Sequence, residues 1–340
     1  MSFNRKKKKE NNGGYPPFLN MWKFGNLEIE GKVVLGPMAG FTSMGYRKFY
    51  KKFGVDLSYS EMVSDMGLIY QNQETLSYLN TSKDEGPVGI QLFGSEPENI
   101  KKAAEIVAKT CSFFDFFDIN AGCPVPKVTK SGAGSSLLKE PKKLADMVRA
   151  IKSVSDKPVS VKIRLGWDNS SINFKEVIKE LEEAGVDMIA IHARTKKELY
   201  LGKPHFDLLK DLRKEMKVPL VVSGNIYTLD DAIEALDITG ADAVMVARGG
   251  IGNPWLIKQL SHYFKTGERL PDASLEDQKK YCLELAQSMI EEKGEITAMR
   301  IYRSIAPKFF FGFPNSKEVR SRLAQSINTF EDLKTIVESI

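Results

Sequence analysis

Val159-Ser160-Val161-Lys162-Ile163-Arg164 sets an apolar side chain against a polar one at every step. Successive side chains of a strand point to opposite faces. Val159, Val161 and Ile163 therefore share one face, and Ser160, Lys162 and Arg164 the other. In a (β/α)8 barrel the outward strand face lies under helices and is apolar. The inward face fills the barrel, and its last residues reach the C-terminal rim, where sites form. Lys162 is thus predicted to point inward, where a charged amine is costly unless it meets an anion or strong acceptors. Neighbouring runs repeat the pattern. Met188–Ala193 sets Ile189, Ile191 and Ala193 against His192 and, just beyond, Arg194. Val88–Leu92 sets Val88, Ile90 and Leu92 against Gly89 and Gln91. Phe116–Asn120 places Asp118 and Asn120 opposite Ile119. Gln91, Asn120, Lys162 and His192 are predicted to converge at one mouth.

Outward from these runs, the rest of the chain reads as the same alternation. Val33–Pro37, Leu57–Glu61, Leu220–Ser223 and Ala243–Ala247 complete eight candidate strands. Helical spacing fills the intervals at 99–110, 141–154, 174–184, 208–216 and 229–236. Eight strands alternating with helices fit either a barrel or a doubly wound sheet. The first strand runs into Gly36-Pro37-Met38-Ala39-Gly40-Phe41, not the G-x-G-x-x-G of a dinucleotide fold. The predicted fold is therefore α/β, a (β/α)8 barrel. After Leu260 no strand pattern returns, and 277–291, 297–304, 317–325 and 330–340 read as helices. A flexible basic arm (1–20), a catalytic barrel (21–264) and a small all-α helical domain (265–340) are expected.

A chain of 340 residues with 42% apolar and 27% charged residues is an ordinary globular composition. It rules out wholesale disorder and a disulfide framework. Cys111, Cys123 and Cys282 have no paired spacing, and no secretory signal is legible, which suggests a reduced cytoplasmic setting. No apolar run approaches a membrane span, and three His offer no metal constellation. The net charge of +5 is unevenly placed: residues 1–20 carry +4, and residues 261–340 carry zero. That zero conceals a segregation. Arg300, Arg303, Lys308, Lys317, Arg320 and Arg322 face only Glu318 within 296–330, a candidate phosphate-binding face.

Two loop regions carry further chemistry. Ser223-Gly224-Asn225 follows the seventh strand, and Ala247-Arg248-Gly249-Gly250 the eighth, ahead of Asn253-Pro254 at a helix start. Backbone N–H groups freed by glycine, beside an arginine, make an anion site where these barrels commonly hold phosphate. After the fourth strand, Asn120-Ala121-Gly122-Cys123-Pro124 holds a thiol between Gly and Pro, on irregular backbone at the rim. Such a thiol can donate a proton, or act as a nucleophile if its pKa is lowered. Cys111 and Cys282 sit on helical stretches and read as packing residues.

At this point the chain resembles the tRNA-dihydrouridine synthase family, and most nearly its bacterial B-type branch. The resemblance runs through Pro37-Met38-Ala39-Gly40, Gln91-Leu92-Phe93-Gly94, Asn120 to Pro124 with Gly132-Ala133-Gly134 and Leu137-Leu138, Val161 to Arg164, His192-Ala193-Arg194, Ser223-Gly224-Asn225 and Arg248-Gly249. Ser43 stands where many members carry Asp. The resemblance implies FMN reduced by NADPH or NADH, a uridine of tRNA reduced at C5=C6, and Cys123 as proton donor. It implies cofactor contacts from Pro37, Met38, Ala39, Gln91, Lys162, His192, Ser223, Gly224, Asn225, Ala247, Arg248 and Gly249. It further implies uridine contacts from Asn120, Arg164 and Arg194, and tRNA phosphates on the 296–330 cluster, with no metal, membrane or obligate protein partner. A flavin barrel acting on a free dihydropyrimidine, and an RNA-binding barrel without catalysis, are the competing readings.

Overall fold

The computed structural model describes residues 21–313 and 316–340. The basic arm foreseen at 1–20 lies outside the described residues. Among the described residues ten strands form: β1 (Trp22–Phe24), β2 (Leu27–Ile29), β3 (Val33–Leu35), β4 (Leu57–Ser64), β5 (Val88–Phe93), β6 (Phe116–Ala121), β7 (Val159–Arg164), β8 (Met188–His192), β9 (Leu220–Ser223) and β10 (Ala243–Val246). β3 to β10 are all parallel and close into a barrel, β10 pairing with β3. β1 and β2 form a separate antiparallel hairpin.

The alternation read from β7 sorts the core in two. Val159, Val161, Ile163, Ile189 and Ile191 pack outward with the helices. Val34, Leu57, Tyr59, Phe116, Met188, Ala190, Val221, Ala243 and Met245 fill the interior. Trp22, Phe24 and Ile29 of the hairpin join that interior cluster, with the Phe24 and Phe116 rings edge to face at 4.8 Å. The hairpin therefore closes one end with apolar groups. A recurrent Asp holds strand starts in register: Asp56, Asp115, Asp187 and Asp242 accept from the N–H groups of Val33, Val88, Val159 and Leu220. Gly-Val-Asp and Gly-Ala-Asp at 185–187 and 240–242 are thus working junctions, not mere turns.

One expected helix does not form. Residues 206–216 make two 3-10 turns, Phe206–Leu209 and Leu212–Lys214. Asp211 between them is left-handed at φ 55°, and its N–H donates to Ile238 O. A residue in that conformation interrupts a right-handed helix.

The last barrel helix, Pro254–Thr266, starts at Asn253, whose side chain accepts from Leu256 N–H, and ends on left-handed Gly267. Helices Leu275–Lys293, Glu295–Tyr302, Ser316–Gln325 and Phe330–Glu338 follow. The first packs on the barrel helix Met44–Lys51. Glu292 accepts from the N–H groups of Met44 and Gly45, and Ser288 donates to Gly45 O. Ser43, at the N-cap of that barrel helix, makes no side-chain cap bond. An anion from the helical region thus occupies the position that favours negative charge at a helix N-terminus. Gly45 is required by the close approach, since a Cβ there would lie 2.4 Å from Ser288 O.

Gly45→Ala separates two effects of opposite sign. Helix propensity alone would stabilise by about 1 kcal/mol. The contact with Ser288 instead forces the helices apart, and overpacking costs ~1–3 kcal/mol. A net loss of stability is expected in urea denaturation, and a gain would refute the tight-packing account.

Candidate active site

The C-terminal ends of the strands surround a cavity of about 340 Å³, within the usual range for small-molecule sites. Pro37, Met38, Ala39, Asn120, Cys123, Lys162, Arg164, His192, Ser223, Gly224, Asn225, Ala247, Arg248 and Gly249 all line it. The inward parity of β6, β7 and β8 brings Asn120, Lys162 and His192 together, as foreseen. Gln91 and Arg194 do not line it. Gln91 is fully buried one layer deeper. Arg194 lies behind the wall, donating to Leu201 O at 3.0 Å and Gly202 O at 2.7 Å.

Beyond its backbone pairing in β7, the Lys162 side chain makes no hydrogen bond or ion pair with any described residue. Burial, then the charge of Arg164, pushes its amine down to about 8, while the Asp118 carboxylate opposes the shift. Asp118, fully buried, is pushed up to about 6 by burial, against hydrogen bonds from Ser160 and Gln91 and the charge of Lys162. Burial dominates at the thiol too. It raises Cys123 above its ordinary value, while the Val125 N–H and the charges of Lys162 and Arg164 pull it back. The thiol is therefore protonated at neutral pH, and the Val125 N–H, Lys162 and Arg164 offset part of the cost of its thiolate.

His192 is held well below its ordinary pKa by burial and by Arg164, Lys162, Arg194 and Arg248. Arg194 Nη1 lies 3.2 Å from His192 Nε2. An arginine only donates, so Nε2 accepts and the neutral ring carries its proton on Nδ1. Arg164 is buried and committed to the frame. It donates to Gly122 O at 2.9 Å, and to Thr195 O and Leu199 O, tying the thiol loop to the loop after β8.

The loops after β9 and β10 supply a donor cradle. The N–H groups of Gly224, Asn225, Arg248 and Gly249 donate to no backbone or side-chain acceptor among the described residues. Asn225 is left-handed at φ 47°, and its side chain accepts from Arg248 at 3.5 Å. Gly249 must be glycine, because a Cβ would meet Ile226 O at 1.9 Å. Such a cluster of free donors beside a cation binds anions.

Tyr200 is a wall residue that the sequence does not mark. It is 46% exposed, with Arg248 4.1 Å and Arg164 5.4 Å from its ring centroid. It sits in an irregular loop without period. Phe41, Met62, Tyr227 and Met245 also line the cavity.

A wider cavity of about 1000 Å³ continues from this mouth, sharing Tyr227, Arg248, Gly249 and Ile251 with it. Its far wall includes Lys308, Phe309 and Phe311 of the helical region. Phe311 is 67% exposed, and Arg320 lies 4.4 Å and Lys308 5.6 Å from its ring. Arg300, Lys317 and Arg322 are exposed. Arg303 instead serves the fold, donating to Ile327 O and Asn328. Cys111 bonds backbone carbonyls of Leu79 and Phe113, and Cys282 is buried against Tyr302. Among the described residues no group of three or more His, Cys, Asp and Glu could hold a metal ion. No described helix is long and apolar enough to cross a membrane.

Comparison with known proteins agrees with this geometry. The model of the family described as dihydrouridine synthase matches residues 34–340. The chain is 33% identical over 321 residues to a probable tRNA-dihydrouridine synthase of Rickettsia bellii, covering 94% of this chain and 97% of that one. It is 32% identical over 281 residues to tRNA-dihydrouridine synthase B of Vibrio vulnificus, covering 83% and 87%. Among solved structures, the old yellow enzyme homologue of Zymomonas mobilis shares the fold, with TM-score 0.52 and 15% identity over 77% of this chain and 96% of that one. An amine oxidase from Pseudomonas geniculata N1 does so with TM-score 0.55 and 13% identity, over 80% and 52%. With thiol, lysine and anion cradle gathered at one barrel mouth and the match running through the helical region, the chain belongs to the dihydrouridine synthase family.

Proposed function

We propose that this protein reduces the C5=C6 bond of uridines in tRNA, with FMN as cofactor, NADPH or NADH as reductant and Cys123 as proton donor. The observation that carries this reading is the meeting, in one cavity, of a protonated thiol, a lysine without a counter-ion and a cradle of free N–H groups. That set fits a flat cofactor bearing phosphate. Ser223, Gly224, Asn225, Ala247, Arg248 and Gly249 would hold the phosphate end. The Pro37, Met38 and Ala39 backbone, Lys162 and His192 would bound the ring system, with Gln91 supporting it from the layer beneath. When bound and reduced, FMN supplies the hydride for C6.

The protein's own part is proton transfer and placement. Cys123 Sγ would give its proton to C5. The Val125 N–H, Lys162 and Arg164 would then stabilise the thiolate, which regains its proton from solvent. Asn120 and Arg164 border the space an entering base would fill, and Arg194 would act from behind by holding the 199–202 loop. A base in folded RNA must leave its stack to reach such a pocket. The wider cavity, with an exposed Phe311 between Lys308 and Arg320, offers what RNA binding uses: phosphate partners and a stacking face. Arg300, Lys317 and Arg322 extend that basic surface.

The Cys123→Ala variant should keep FMN and its reduction by NADPH while losing dihydrouridine formation about 10²–10⁴-fold, the usual worth of a general acid. Full product formation, measured by mass spectrometry of tRNA nucleosides, would sink the assignment. Lys162→Met removes a cation that favours the thiolate. The pH midpoint of Cys123 alkylation in cofactor-free protein should therefore rise, and an unchanged midpoint would separate the two groups. Replacing Arg320 and Arg322 together by Glu should weaken tRNA binding and lower the magnitude of its log–log salt slope by about one to two. An unaltered slope would place the phosphates elsewhere.

A further inference from the structure

We propose that Asp118 is a positioning residue for the Cys123 thiol, acting through the side chains of Gln91 and Asn120. The three polar side chains form one chain of hydrogen bonds through the barrel interior. Gln91 Nε2 donates to Asp118 Oδ2 at 2.6 Å. Asn120 Nδ2 donates to Gln91 Oε1 at 2.8 Å. Asn120 Oδ1 accepts from Cys123 N–H at 2.8 Å and from Gly122 N–H at 3.2 Å. The other Asp118 oxygen accepts from Ser160 at 2.5 Å. Gln91, Asp118 and Ser160 are fully buried and Asn120 nearly so, so no bulk water competes for these groups.

The direction of the chain follows from its first member. An ionised carboxylate only accepts hydrogen bonds, whereas a side-chain amide can face either way. Asp118 therefore turns the NH₂ of Gln91 toward itself and its carbonyl toward Asn120. That carbonyl turns the Asn120 NH₂ inward, which leaves Asn120 Oδ1 for the backbone of the thiol loop. Flipping either amide would set carbonyl against carboxylate, or NH₂ against two N–H donors, with buried groups left unpaired on each side. The anion thus fixes two amides and, through them, the backbone at residues 122 and 123. Gly122 gains a second tether, since Arg164 donates to its carbonyl. Together these place the thiol and keep it near the Val125 N–H that favours its thiolate.

The catalytic consequence rests on the reading of Cys123 as proton donor, but the geometry does not, and one experiment separates the two. In FMN-loaded protein, alkylation of Cys123 by iodoacetamide is followed against pH by peptide mass spectrometry, beside dihydrouridine formation and the flavin spectrum. Asp118→Asn keeps the shape and removes the orienting anion. The alkylation midpoint should rise by about one unit, roughly tenfold less thiolate at a given pH. Dihydrouridine formation should fall about tenfold while KM for tRNA stays within about twofold. Asn120→Ser cuts only the last link and leaves the charges of Asp118 and Lys162 in place, so it should show the same shift. It also decides the matter if the Asp118 variant does not fold. Ser160→Ala leaves Gln91 and Asn120 in place but removes a bond that helps keep Asp118 ionised, so it should shift the profile in the same direction and by less than Asp118→Asn. A wild-type profile in Asn120→Ser, or in a folded Asp118→Asn, would overturn the proposal. A shifted profile with undiminished dihydrouridine would uphold the positioning and count instead against Cys123 as the acid.

Discussion

A cation held at the mouth of the barrel without a counter-ion governs the rest of the site. Lys162 is there because strand parity turns Ser160, Lys162 and Arg164 inward together. In a medium of low dielectric its charge reaches every titratable neighbour. It lowers Asp118 and Cys123 relative to what burial alone would do, and it adds to burial and Arg164 in keeping His192 neutral. Arg164, Arg194 and Arg248 add to the same field. Asp118, the carboxylate in the layer below, is committed to Ser160 and Gln91. Such an excess of positive charge favours an anionic occupant.

The framework reaches beyond the barrel. The loop from Pro37 to Ser43 lines the cavity on one side and ends at the helix Met44–Lys51, whose N-terminus is capped by Glu292 of the helical region. Within the loop, Gly40 N–H donates to the buried Glu61 of β4. Opposite, Gly252 after β10 allows the Lys308–Phe309 backbone to approach closely. The helical region therefore braces both edges of the barrel-mouth cavity. Its contribution to the site is positional as well as electrostatic, and a change at either contact should be felt at the mouth.

How much of this could be read in advance depended on the range of the forces involved. Strand parity is local, so the inward set of β6 to β8 was legible from single runs, as were the glycine loops after β9 and β10. The β1–β2 hairpin was not. Its segments are three residues each, too short for periodicity, and its role is set by the apolar end of the barrel it fills. The run 208–216 has helical spacing, but Asp211 is left-handed and bonded to Ile238, a tertiary effect. Depth was equally hidden. Gln91 and Asn120 share a parity, yet one lies beneath the cavity and the other on its wall. Arg194 and Arg303 read as free cations, whereas the backbone carbonyls of Leu201, Gly202 and Ile327 take up their donors. Tyr200 escaped because a loop aromatic has no pattern until arginines from β7 and the β10 loop close on it.

The same hidden depth explains why the interior can be polar without losing stability. An isolated carboxylate at Asp118 would carry a large desolvation penalty. A fully satisfied network reduces that cost and rigidifies what it touches. Here the satisfied groups end on the thiol loop, so the hydrogen bonds that make the anion tolerable also give Cys123 a fixed address. The apolar half of the barrel, closed by Trp22 and Phe24, keeps water from entering from below. Were that plug lost, water could take over the donors and acceptors of Gln91 and Asn120, and the orientation imposed by Asp118 would no longer reach Cys123. The hairpin and the thiol loop, at opposite ends of the barrel, are therefore linked through the dryness of the interior between them.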